Sequence, residues 1–308
     1  MKKLENSKVL VIGGSGFIGG FVVSELLKHQ VSELVIYDNF ARGKSANIIE
    51  SLKDPRCSVY PFGGDVRETD ILDTAMKGID YVFHLAAMWL LHCKDYPRTA
   101  FDVNIAGTFN VLEACVKNNV KKLISSSSAS VYGDASEVPM TESHPFNNKN
   151  FYGATKIAGE AMATAFNDRY GLEVVSLRYM NVYGPGQIKT GKMSALIGIF
   201  ETQYENKKPL TIVKPGSQMR DFTHIDDIIE GCYKAVIKNK NNEYMLSSGK
   251  KYSILQIAKM FKTKCEYISS RPGDRKDSIV LNNNAKKILG FKARRSINDY
   301  IKNFINTH

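Results

Sequence analysis

Along the first half of the chain, short unbroken apolar runs alternate with longer stretches in which apolar residues recur every three or four positions. The runs are "KVLVIGG", "ELVIYD", "DYVFHLAA" and "KKLISSSS", and between them stand "FIGGFVVSELLKH" and "VNIAGTFNVLEACVKN". A Val, Ile and Leu run with no polar alternation suits a strand covered on both faces, whereas the 3.6-residue period suits helices. Strand and helix in alternation predict an α/β fold, doubly wound on a parallel sheet. After about residue 180 the pattern changes. "NVYGPGQIKTGK" is rich in Gly, Pro and Lys, and loop-like joints follow at "VKPGSQ", "NKNNEY" and "RPGD". A smaller C-terminal lobe is expected there, closing over the carboxyl ends of the strands, where ligands bind in such sheets.

Composition narrows the class. With 308 residues and 43% apolar content, the chain can bury one large core or two modest ones. No segment approaches the roughly 18 to 20 uninterrupted apolar residues of a membrane span. The basic start has its apolar run broken by glycines, so it does not read as a signal peptide. Cys57, Cys93, Cys115, Cys232 and Cys265 are scattered and never form a C-x-x-C pair, which argues against a disulfide framework or a zinc site and points to a reducing cytoplasm. Net charge is +11, from 42 Lys and Arg against 31 Asp and Glu. The basic residues are spread rather than clustered, so a cleft for anionic small molecules is expected instead of a nucleic-acid face.

Candidate chemistry begins at "GGSGFIG", residues 13 to 19, which closes a strand and opens a helix. Gly13, Gly16 and Gly19 allow a tight turn and close backbone approach to a pyrophosphate, and the helix N-terminus offers free N–H groups and a positive dipole end. Phe17 and Ile18 sit inside this Rossmann dinucleotide turn. Asp38 ends the second strand about 20 residues further on, where a carboxylate receives the ribose hydroxyls and repels a 2′-phosphate; NAD is expected over NADP. Arg42 stands nearby and is the residue that would favour that phosphate. Asp65, in "GDV", is placed near the adenine.

In "FYGATK", Tyr152 and Lys156 are four apart and stack on one helix face. An ammonium near a phenol favours the phenolate. Half-ionisation near pH 7 needs a fall of about three units from a reference near 10, or about 4 kcal/mol. The serine run "SSSSASVYG", residues 125 to 133, ends a strand about 25 residues before the tyrosine.

Together with "YDNF", "HLAA", "NIAGTFNVLEA", "LRYMNVYGPGQ", "GSQMRDFTHIDDI" and "RPGD", these stretches resemble the NAD-dependent nucleotide-sugar epimerases and dehydratases of the extended short-chain dehydrogenase/reductase family. The resemblance covers nearly the whole chain. It implies that Ser128 hydrogen-bonds the reacting sugar hydroxyl, that Tyr152 is the base, and that Lys156 holds the nicotinamide ribose and lowers the tyrosine's pKa. Ser125 to Ser127 would be strand and backing residues. Cofactor contacts would come from Phe17, Ile18, Asp38, Asn39, Asp65, Val66, Leu85, Ala86 and Ala87, with Asn104 bracing the site and Met180 near the nicotinamide. Asn181, Arg220 and Arg271 would hold the substrate diphosphate, and Asp274 its ribose. The implied division gives residues 1–178 and about 219–240 to an NAD-binding domain, and about 179–218 and 241–308 to a discontinuous nucleotide-sugar lobe. By analogy, the helices after Asn104 and around Tyr152 would pair in a homodimer.

In this resemblance, 4,6-dehydratases carry an Asp-Glu pair directly after the serine, because eliminating water needs an extra acid and base. Here Ala129 and Ser130 follow. The chemistry left is reversible oxidation at C4, hence epimerisation through a 4-keto sugar, with a 4-dehydrogenase or a C3 or C5 epimerase as alternatives. A non-catalytic nucleotide sensor would be expected to lack the tyrosine or the lysine. "VKPG" at 213 to 216 departs from the family pattern, so nucleobase contacts are not carried over. Trp89 either roofs the sugar site or fills core. His84, His92, His144 and His224 lack metal-ligand spacing and read as structural.

Overall fold

The computed structural model describes residues 4–137, 140–191, 194–238, 242–269 and 284–308. The chain opens with β1 (Lys8–Ile12), α1 (Phe17–Leu27), β2 (Glu33–Tyr37), β3 (Cys57–Val59), α2 (Thr69–Ala75) and β4 (Tyr81–His84). Then come α3 (Leu90–Asp95), α4 (Pro97–Ala100), α5 (Gly107–Lys117), β5 (Lys122–Ser128), α6 (Phe151–Tyr170) and β6 (Glu173–Tyr179). The remainder is β7 (Val182–Tyr183), α7 (Leu196–Glu205), β8 (Leu210–Val213), β9 (Met219–Asp221), β10 (Thr223–His224) and α8 (Ile225–Ile237). It ends with β11 (Asn242–Leu246), β12 (Lys251–Ser253), α9 (Ile254–Met260), β13 (Cys265–Ile268) and α10 (Ile297–Thr307).

Seven strands form one sheet in the order β11-β6-β5-β4-β1-β2-β3, each pair parallel. The unbroken apolar runs have the expected cause. Along β1, Val9 and Val11 face a layer containing Val22, Val23 and Leu26 of α1 and Ile228, Ile229 and Cys232 of α8. Leu10 and Ile12 face the other way, toward Leu72 of α2, Val111, Leu112 and Cys115 of α5 and Ala163 of α6. Covered on both faces, each such residue removes its side chain from water, which stabilises the fold by about 1.5–3 kcal/mol per large side chain.

A second core gathers Phe200 from α7, Leu210 and Ile212 from β8, Ile257 and Phe261 near α9 and Ile301 and Phe304 from α10. This is the smaller lobe. The expected boundary at residue 241 falls ahead of a strand that the main sheet takes in: β11 pairs with β6, and its Tyr244, Met245 and Leu246 are buried. Ala285, Leu289 and Phe291 likewise pack in the layer of α1 and α8.

Candidate active site

At the carboxyl ends of the strands lies a cleft of about 1300 Å³ between the sheet and the smaller lobe. One end is the glycine turn. Gly13, Gly16, Phe17, Ile18 and Gly19 line it, facing Asp38, Asn39, Asp65, Val66, Leu85, Ala86 and Ala87. Glycine is required here for space as well as for backbone angle: a Cβ on Gly13, whose φ is +81°, would lie 2.6 Å from the Ala86 nitrogen, and one on Gly19 would lie 2.1 Å from the Gly13 oxygen. The Asp38 carboxylate is aimed by two backbone donors, Ser15 N at 2.9 Å and Phe40 N at 2.8 Å. A cradle without side-chain atoms at a helix N-terminus, with a fixed carboxylate at the end of β2, fits a dinucleotide whose ribose hydroxyls are free. Asp65 pairs with Arg67 through contacts of 2.9 and 2.6 Å and accepts from Asn39 at 3.3 Å; the Arg67 hydrogen bonds hold its carboxyl below the usual range.

At the other end, Ser128 terminates β5 and Tyr152 stands in the first turn of α6; both line the cleft. That helix starts where it does because the Asn150 side chain caps it, accepting from Gly153 N at 2.8 Å. Lys156 follows one turn later and donates to the Ser126 carbonyl at 2.7 Å, with its nitrogen 5.8 Å from the centre of the Tyr152 ring. Ser125 pairs in register with His84 as a strand residue, whereas Ser126 and Ser127 also line the cleft, Ser127 while donating to Glu160 at 2.5 Å. Asn104 braces the wall: its side chain accepts from Met88 N at 2.7 Å and donates to Met88 O at 3.0 Å and to the Thr155 hydroxyl at 3.1 Å. It sits in a wide π-type turn over Phe101–Ala106 that leads into α5, a distortion common at functional sites.

The electrostatics differ from expectation in one respect. Burial pushes the Tyr152 phenol up to about 12, and the groups that pull it back are a hydrogen bond from Ser128 and the charge of Arg42, not Lys156. The order of titration accounts for this: with Lys156 losing its proton near 8 and the phenol near 12, the ammonium is already neutral where the phenol ionises. Lys156 itself is lowered to about 8 by burial, against the opposing pull of Cys93 and Glu160. The fall toward neutrality thus needs a further positive charge beside the phenol.

Met180 does not reach the cleft. Its neighbours in sequence, Tyr179 and Asn181, line it, while Met180 is fully buried with Ala129, Val131, Tyr132 and Met245. Asn181 and Arg220 stand in the wall formed with the smaller lobe; Asn181 donates to the Asp221 carbonyl at 2.6 Å. Arg271 and Asp274 lie outside the described residues. Trp89 lines the cleft just ahead of α3, so it is wall and not core. His84 is buried and pushed down to about 3 by burial and by the charge of Lys156; it shares a 3.1 Å contact with the Thr108 hydroxyl and is neutral. His144 accepts from Ser136 N, and His224 caps α8 by accepting from Asp226 N.

Residues that sequence reasoning passed over also line the cleft. Cys93 lies among Asn104, Arg42 and Lys156. Gln187 and Ser194 are buried; the Ser194 hydroxyl has no hydrogen-bond partner among the described residues, and the Gln187 side chain lies beside the Tyr300 hydroxyl. No local pattern marks these three. Arg42 had a signal in its nearness to Asp38, but the structure turns it the other way, toward Ala87, Cys93 and Tyr152.

The model of the NAD dependent epimerase/dehydratase family matches residues 9–249, and the chain belongs to that family. A relative named UDP-glucose 4-epimerase, from Halalkalibacterium halodurans, is 28% identical, with 93% of this chain and 90% of that one covered. Among solved structures, the UDP-N-acetylglucosamine 4-epimerase of Methanobrevibacter ruminantium, in complex with UDP-N-acetylmuramic acid, superposes with a TM-score of 0.91 at 29% identity over 98% of both chains. The UDP-glucuronic acid 4-epimerase of Bacillus cereus, with UDP-glucuronic acid and NAD, gives 0.88 at 30% identity over 97% of this chain and 99% of that one.

Proposed function

We propose that this protein inverts C4 of a nucleotide-diphosphate sugar through a transient 4-keto sugar, using NAD that stays bound through turnover. The observation that carries the reading is that Ser128 and Tyr152 line one end of the cleft with the Lys156 ammonium 5.8 Å from the Tyr152 ring, and that Ala129 and Ser130 follow where a dehydratase would need carboxylates. Relatives that cover almost the whole chain and act on UDP-sugars at C4 support it.

Bound NAD would supply a two-electron acceptor and donor at C4 and a positively charged ring beside the phenol. Tyr152 Oη takes the C4 hydroxyl proton and later returns one. Ser128, which also donates to the phenol, holds the reacting oxygen. Lys156 contributes its charge and holds the ribose hydroxyls of the cofactor. The Asn181 and Arg220 side of the cleft binds the diphosphate, for which a planar guanidinium fork is well matched. Gly13, Gly16, Gly19, Asp38 and the β4 loop bind the dinucleotide.

The protein acts as a homodimer in this proposal. Phe101 and Phe109 are each 42% exposed and Tyr170 is 58% exposed along neighbouring helices, and Phe109 meets Phe166 of α6 edge-on at 5.5 Å. That apolar strip suits helix pairing between two copies. No described helix is long and apolar enough to cross a membrane, and the scattered cysteines suit a cytoplasmic enzyme.

Proton NMR with UDP-glucose, UDP-N-acetylglucosamine, UDP-glucuronate and a GDP-sugar, at substoichiometric NAD, tests the reaction. A new anomeric signal without accumulating NADH is expected for one of them. A keto sugar formed with NADH in proportion would replace the epimerase by a 4-dehydrogenase.

A further inference from the structure

Arg42 occupies a place in the cleft to which the reaction above assigns no task. It follows β2, and its Nη1 donates to the carbonyl of Ala87, in the loop after β4, at 3.2 Å. In the sheet, β1 lies between those two strands. The side chain therefore crosses the carboxyl end of β1, where the glycine turn opens α1, and it lines the same cleft as Gly13 and Gly16.

Two further features show that this crossing is built into the fold. The loop carrying Arg42 is stitched to the glycine turn through Ser15, whose carbonyl accepts from Lys44 N at 3.0 Å and from the Asn47 side chain at 2.8 Å, and whose N–H donates to Asp38. The fit is tight enough that a Cβ on Gly43 would fall 1.6 Å from the Ser15 hydroxyl. The Arg42 Nε is also buried with no hydrogen-bond partner among the described residues. Burial weakens the charged guanidinium, and the groups that support it are the Tyr152 phenol and the Cys93 thiol, which are neutral unless ionised. A buried guanidinium with a free donor and no carboxylate partner is arranged for an anion that arrives with a ligand.

We propose that Arg42 is a cofactor latch: its guanidinium pairs with the diphosphate of the bound dinucleotide while its link to Ala87 closes the chain over that group, slowing release. The inference rests on the family's NAD dependence and not on the identity of the sugar, so it stands or falls separately from C4 epimerisation. It also accounts for Arg42 without a 2′-phosphate, because the side chain turns away from the Asp38 carboxylate and runs across the end of β1 to Ala87.

Trp89, the single tryptophan of the chain, lines the cleft and reports binding by its fluorescence. NAD, ADP-ribose and NADP are titrated against the wild type, Arg42→Ala, Arg42→Gln and Arg42→Lys, with nucleotide retained on gel filtration measured by acid release. Arg42→Gln keeps the three-carbon stem and a neutral donor at the position of Nε, should the alanine variant fail to fold. The expected result is a Kd for NAD and for ADP-ribose raised about tenfold in Arg42→Gln and in Arg42→Ala, a smaller rise in Arg42→Lys, and loss of retained nucleotide. NAD and ADP-ribose affinities within about twofold of wild type in the Ala and Gln variants would overturn the latch. So would a loss confined to NADP, which would return Arg42 to the ribose phosphate.

Discussion

Two successive stretches of α6 treat a buried cation in opposite ways. At the cleft, Lys156 donates to a neutral carbonyl, and burial lowers it to about 8. One turn further along the helix, Glu160 meets Arg178 of β6 in a two-point ion pair of 2.8 and 2.7 Å, and Arg178 also donates to the Tyr132 hydroxyl at 2.6 Å and the Glu142 carbonyl at 2.8 Å. There the partners outweigh burial and raise the guanidinium's pKa. A cation that only holds structure is neutralised locally, so its field ends where it begins. A cation meant to act on a ligand is left short of counter-charge, and the fold bears that cost.

Breaking each side of the comparison should give different signatures. Tyr152→Phe removes the proton acceptor and is expected to lower turnover by about 10²- to 10⁴-fold with an unchanged melting curve. Steady-state rates beside a thermal melt check this, and near-wild-type turnover would remove Tyr152 from the mechanism. Arg178→Met leaves Glu160 charged and buried beside Ser127, and a loss of about 3–5 kcal/mol is expected in urea unfolding. The double change of Arg178→Met with Glu160→Met should recover much of that, because the uncompensated charge is gone.

Lys156→Met sharpens the contrast through pH. Because the folded pKa of Lys156 lies near 8, below its ordinary 10.5, the unfolded chain binds more protons between those values. Wild-type stability should therefore rise relative to Lys156→Met as pH climbs from about 8 toward 10.5, by about 3 kcal/mol, and stay nearly flat between pH 6 and 7. Urea unfolding of both proteins across that range measures it. A difference that falls with pH would mean that Lys156 is paired like Arg178.

Local sequence was enough for whatever depends on backbone geometry or on spacing within one element. The glycine turn, Asp38 at a strand end, and Tyr152 with Lys156 on one helix face all follow from residues close together in the chain; the glycines, Asp38 and Tyr152 line one cleft, with Lys156 behind it on the Ser126 carbonyl. The unbroken runs of β1 and β2 foretold a sheet covered on both faces for the same reason. Side-chain direction over long separations was not legible. Met180 sits next to a cleft residue, yet the alternation of a strand end sends it into the core. Nothing near Arg42 in sequence reveals that it crosses β1 to reach Ala87, 45 residues away. The Lys156 ammonium turns to a backbone carbonyl 30 residues earlier. Sequence determined which groups are present and which face of their own element they occupy. Tertiary structure decided which charges find partners, because burial and pairing depend on neighbours that the chain supplies from distant segments.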